Sequence, residues 1–121
     1  MITYAERVCF PQAEIATWTR ACDLVRRVEF DGCRCHELAR AVLLALTGDL
    51  PTLLIQDGKV GFVEHTWLRF TATGNVLDVY RPGVLPGVLL VDGMLAGDYK
   101  IGAVRNDIRQ EDFLRILRDF E

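Results

Sequence analysis

The stretch Asp31-Gly32-Cys33-Arg34-Cys35-His36-Glu37-Leu38-Ala39, running on through Val42, Leu43 and Leu46, decides how the rest of the chain is read. Asp31-Gly32 is a breaker pair, so a new element starts behind it. Leu38, Ala39, Val42, Leu43 and Leu46 then recur at i, i+1, i+4, i+5 and i+8, the apolar stripe of a helix. That spacing predicts a helix beginning at or just after Cys33 and ended by Gly48 and Pro51. Its stripe is broad, which marks a central, well-covered helix.

Upstream, Ile15, Trp18, Cys22 and Val25 follow helical spacing behind Pro11, predicting a helix that stops near Asp31-Gly32. Residues 1–10 read as a short strand or an irregular lead-in. Downstream of Pro51 the period shortens to that of strands. Strands are expected at 53–56, from about Val60 to Phe70, at 76–80, at 88–91 and at 99–104. The expected turns lie at Asp57-Gly58 and at Thr71–Asn75, and Pro82-Gly83 and Pro86-Gly87 punctuate a loop. A last helix, about 108–120, carries Phe113, Ile116, Leu117 and Phe120 on one face, with Asp107 and Gln110 in a capping arrangement. Helices first, then an antiparallel meander, then one helix: the expected class is α+β, with helices packed on one face of a sheet.

At 121 residues the chain has room for one domain, and at 50% hydrophobic it can bury a core without disulfides or metals. A net charge of −3 with no basic run argues against non-specific nucleic-acid binding. The longest apolar runs are too short to cross a bilayer. With no recognisable leader, the chain reads as a cytosolic protein or a processed product, and the expected location is cytoplasmic. Among the four cysteines, Cys9 and Cys22 sit in apolar surroundings and read as core. A Cys33–Cys35 disulfide is discounted, because residues two apart close such a bridge poorly.

Cys35 stands at a helix start, where unpaired backbone N–H groups and the helix dipole stabilise a thiolate and a developing oxyanion. A thiolate needs a base, and His65 lies in a predicted strand with Trp67 and Arg69 on its face. Asp78, flanked by Leu77 and Val79, lies on the next strand; a carboxylate in such a run calls for a partner. A hairpin closed around residues 71–75 sets Asp78 near His65, within a residue or two of register. There it would fix the imidazole tautomer. His36 reads as an exposed first-turn residue, and Glu37 suits the helix N-terminus through the dipole.

Gly-x-x-Cys-x-x-x-Ala at 32–39, His-x-Trp at 65–67 and Leu-Asp-Val at 77–79 resemble the core of the transglutaminase-like superfamily, within the wider papain-like cysteine protease fold. The resemblance implies a papain-like α+β core with a catalytic cysteine, histidine and aspartate in that order. The small residue four positions on matches Ala39 when Cys35 is the nucleophile, so Cys35, His65 and Asp78 are the expected catalytic residues. Trp67 is expected as core or pocket wall and as a substrate contact. The family's oxyanion glutamine has no match just before Cys35, where the chain reads Glu29-Phe30-Asp31; Gln12 is one substitute. The implied function is cysteine-dependent hydrolysis or acyl transfer at an amide bond, as a peptidase, amidase or deamidase. The expected partner is a peptide or protein substrate; no cofactor, nucleic acid or membrane is called for. Two alternatives stand beside it. Cys33, Cys35, His36 and His65 supply the ligand types of a structural zinc, at a spacing tighter than usual. A non-catalytic member could instead bind a peptide along a sheet edge, with residues 88–91 as one candidate.

Overall fold

The computed structural model describes residues 10–46, 52–80 and 87–121. In chain order these form α1 (Gln12–Val25), α2 (Cys35–Ala45), β1 (Leu53–Val60), β2 (Val63–Phe70), β3 (Val76–Asp78), β4 (Leu89–Val91), a 3-10 turn (Gly93–Leu95), β5 (Tyr99–Ile101) and α3 (Gln110–Asp119). The five strands make one antiparallel sheet in the order β4-β3-β2-β1-β5. The class is therefore α+β, as the patterning predicts. The meander covers β1 to β4 only, because β5 returns to the far edge and pairs with β1. Among the described residues, no helix is long and apolar enough to cross a membrane. The lead-in at residues 1–9, Cys9, the expected stop at Gly48 and Pro51, and the loop at 81–86 lie outside the described residues.

One face of the sheet holds the core. Leu53, Leu68, Phe70, Leu77, Val79 and Leu90 alternate along their strands onto that side and pack with Ala21 and Val25 of α1, Leu38 and Val42 of α2, and Ile116 of α3. Full burial of one such aliphatic side chain contributes roughly 1.5–3 kcal/mol.

The strands expected at 76–80 and 99–104 end sooner, at Asp78 and Ile101, and three further departures have local reasons. α1 stops at Val25, six residues before the breaker pair. Arg27 N–H and Val28 N–H tighten onto the carbonyls of Leu24 and Val25, and the Arg27 guanidinium reaches the Phe120 carbonyl at the end of α3. Asp31-Gly32 makes a separate turn, with Cys33 N–H donating to Phe30 and Gly32 at φ +74°. The stripe that α1 buries is Glu14, Thr17, Ala21 and Val25, offset from the apolar one. Glu14 is satisfied there by Thr73 Oγ1 and Asn75 Nδ2, both at 2.7 Å.

The second difference matters more. Asp57-Gly58 is no turn; β1 runs straight through it, and the hairpin closes at Gly61-Phe62 with Gly61 at φ +61°. Glycine at the first central position suits a type II′ turn. Gly58 is needed for close approach. A Cβ there would collide with the Lys100 carbonyl oxygen and come within 2.8 Å of the Trp67 ring. Third, α3 has no side-chain cap. Asp107 pairs with Arg105, and the N-cap Arg109 N–H donates instead to Glu37 of α2.

Candidate active site

α2 begins at Cys35, so the first N–H groups of the helix have no intrahelical acceptor and point toward its N-terminal end. A cleft of about 260 Å³ opens there, lined by Cys33, Cys35, His36, His65 and Tyr80 among others. Cys35 is half-buried at its wall, and Cys22, Cys33 and Cys35 are all free thiols.

His65 comes from β2 and is 1% exposed. Leu68 pairs with Leu77 across β2 and β3. One residue further along that register, Asp78 faces Trp67 and is the diagonal neighbour of His65 on the same face. The contact is direct: His65 Nε2 lies 2.8 and 2.9 Å from the two Asp78 oxygens. Asp78, fully buried, also accepts from Tyr99 Oη at 2.6 Å and from Tyr80 N–H at 3.2 Å. With Nε2–H committed to Asp78, the other nitrogen of the ring is the one left for chemistry. His65 Nδ1 is buried and makes no hydrogen bond of ordinary geometry. Burial works against protonating this ring. The Asp78 carboxylate, and then the Cys35 thiol beside it, outweigh that and raise the His65 pKa to about 9.

Cys33 behaves differently. Burial pushes its thiol up to about 11, and its sulfur leans on the Arg34 carbonyl at 3.7 Å. It stays protonated at neutral pH, which suits packing and not attack.

Other expectations are corrected. Trp67 is 1% exposed, so it offers no surface to a substrate. Its ring lies beside His65, centroids 6.1 Å apart, and meets Tyr99 edge-on at 5.1 Å, walling the histidine from beneath. Gln12 sits exposed in the first turn of α1 and does not line the cleft. His36 is buried, not exposed, and Glu37, which does stand in the first turn of α2, is buried as well. Glu37 is clamped by the Arg34 guanidinium and the Arg109 N–H, which together hold its carboxyl below the usual range despite burial. Among the described residues, no group of three or more His, Cys, Asp or Glu side chains is arranged to hold a metal.

Sequence reading missed Tyr99, Thr66 and Asp57. Asp57 is 3% exposed and binds Arg40 Nη2 at 2.5 Å, Thr66 Oγ1 at 2.6 Å and Arg105 N–H at 3.1 Å. Strand alternation held a signal for it: Leu53, Ile55 and Asp57 share the core face, a position where an aspartate needs partners. No comparable signal marks Tyr99.

No family model matches the chain, and no curated protein or solved structure matches it significantly.

Proposed function

We propose that this protein is a cysteine-dependent hydrolase or acyl transferase acting on an amide or peptide bond, built on a minimal transglutaminase-like, papain-like core. The observation that carries the reading is the buried His65 ring. Asp78 clamps it through Nε2, and its unpaired Nδ1 stands beside the cleft that also holds Cys35. A buried imidazole nitrogen without a partner is costly, and a neighbouring sulfur gives it a use.

In the proposed cycle the Cys35 thiol has given its proton to His65 Nδ1 before substrate arrives, because the raised pKa keeps that ring protonated at neutral pH, while Nε2–H stays on Asp78. The thiolate attacks the carbonyl carbon, and the oxyanion is met by N–H groups at the start of α2. The C–N bond then breaks, Nδ1–H protonates the leaving amine, and a thioester remains on Cys35. Water, or an acceptor amine, gives a proton to Nδ1 and attacks the thioester. The Cys35 sulfur leaves as the thiolate, and that proton stays on Nδ1. A carboxylate beside the imidazole stabilises the imidazolium at each step.

A peptidyl acyloxymethyl ketone tests the reading, because it alkylates a cysteine that a histidine activates. The expected result is one adduct, mapped to Cys35, and lost in His65→Ala. Labelling spread over several cysteines, or unaffected by His65→Ala, overturns the proposal. β4 does lie at a sheet edge. A purely peptide-binding protein would therefore show no such adduct and would keep its ligand in Cys35→Ala.

A further inference from the structure

Cys35 has a second imidazole against it. The Cys35 sulfur lies 3.5 Å from His36 Nδ1, and the same nitrogen lies 2.7 Å from Thr66 Oγ1. Thr66 is fully buried and His36 is 6% exposed. Thr66 projects from β2 on the face opposite His65, so the two histidines reach the cysteine from different networks.

The proton count along the Thr66 network has one solution. A hydroxyl has a single proton to give. Asp57, 2.6 Å away, also faces the Arg40 guanidinium and the Arg105 N–H. Burial favours the neutral acid, but these partners outweigh it and hold the Asp57 carboxyl below its usual range. Asp57 is thus ionised and takes the Thr66 proton. Thr66 Oγ1 can then only accept from His36, so His36 Nδ1 carries a hydrogen. Arg40 holds the backbone beneath, donating from Nη1 to the His36 carbonyl at 3.0 Å.

We propose that His36 is a second functional imidazole of the site: fixed as its Nδ1–H tautomer by Thr66 and Asp57, it shares that one hydrogen between Thr66 Oγ1 at 2.7 Å and the Cys35 sulfur at 3.5 Å, a three-centre bond whose sulfur arm strengthens when the sulfur is a thiolate. This deepens the nucleophile reading above and rests on it. The sulfur then sits between two histidines of opposite sense, His65 Nδ1 accepting the proton and His36 Nδ1–H steadying the anion left behind. His36 cannot act as a rival base through that nitrogen. Its ring is also kept neutral near pH 7, since burial, Arg105 and Arg34 outweigh Glu37 and Asp107 around it. From β2, His65 and Glu64 complete the charged groups lining the same cleft.

Two measurements on the full chain test this. Long-range 15N–1H correlation of the imidazoles in the wild type should show His36 protonated on Nδ1; an Nε2–H tautomer overturns the proposal without any variant. Iodoacetamide labelling of Cys35 at pH 7 should slow about fivefold in His36→Leu, as loss of one shared hydrogen bond to an anion implies. His36→Asn, which keeps a donor near the Nδ1 position, should restore most of the rate. If His65→Ala is slow but His36→Leu stays within about twofold of wild type, the His36 role fails and the nucleophile reading survives. If wild-type Cys35 reacts no faster than in the denatured chain, both fail.

Discussion

Replacing Asp78 by Asn keeps the shape of the site and removes one buried charge. In the wild type, His65 is held protonated up to about pH 9, against 6.5 for a free imidazole. Its proton therefore stabilises the fold fully below about pH 6.5, and that contribution is lost as the pH rises through about 9. A displacement of that size corresponds to about 3 kcal/mol at low pH. In Asp78→Asn, burial lowers the His65 pKa and only the Cys35 sulfur still opposes it, so the midpoint should fall well below 9. The amide also turns an N–H2 toward Tyr99 Oη or Tyr80 N–H, where the carboxylate had accepted from both. Urea unfolding should show a loss of about 3–4 kcal/mol at pH 6, shrinking to about 1 kcal/mol at pH 9.5, where only neutral hydrogen bonds differ. NMR titration of the His65 ring carbon gives the midpoint independently. A midpoint unchanged between wild type and Asp78→Asn, or a stability difference that does not shrink with pH, would refute the reasoning.

Tyr99→Phe removes one donor from Asp78; the carboxylate then leans harder on His65, whose NMR midpoint should rise, at a stability cost of about 1 kcal/mol. Gly58→Ala should cost about 2–4 kcal/mol in chemical denaturation, because the new methyl displaces both the β5 edge and the Trp67 wall. Asp57→Ala leaves the Arg40 guanidinium without its buried partner and frees the Thr66 hydroxyl; a loss of about 3 kcal/mol or more is expected, and an effect below about 1 kcal/mol would contradict the buried network.

Much of this was legible in the chain because periodicity and breakers act locally. The stripe from Leu38 to Leu46 and the strands holding His65 and Asp78 follow from spacing alone, and the His65–Asp78 contact follows from one hairpin. What was illegible depends on distant partners. Asp57-Gly58 has the composition of a turn, yet Arg40 and Thr66 make the aspartate a buried hub, and Lys100 and Trp67 make the glycine a point of close approach. His36 has the position of a solvated first-turn residue until β2 lays Thr66 against it. Tyr99 reaches Asp78 only because β5 crosses to the far side of β1, a pairing that no local pattern announces.

The account stands on Cys35 being activated by His65, and the reactivity of each cysteine measures that most directly. Peptide-resolved alkylation by limiting iodoacetamide at pH 7 should modify Cys35 at least about tenfold faster than Cys22 and Cys33, with the advantage abolished in His65→Ala. Equal rates across these thiols, or a fast Cys35 indifferent to His65, would contradict it.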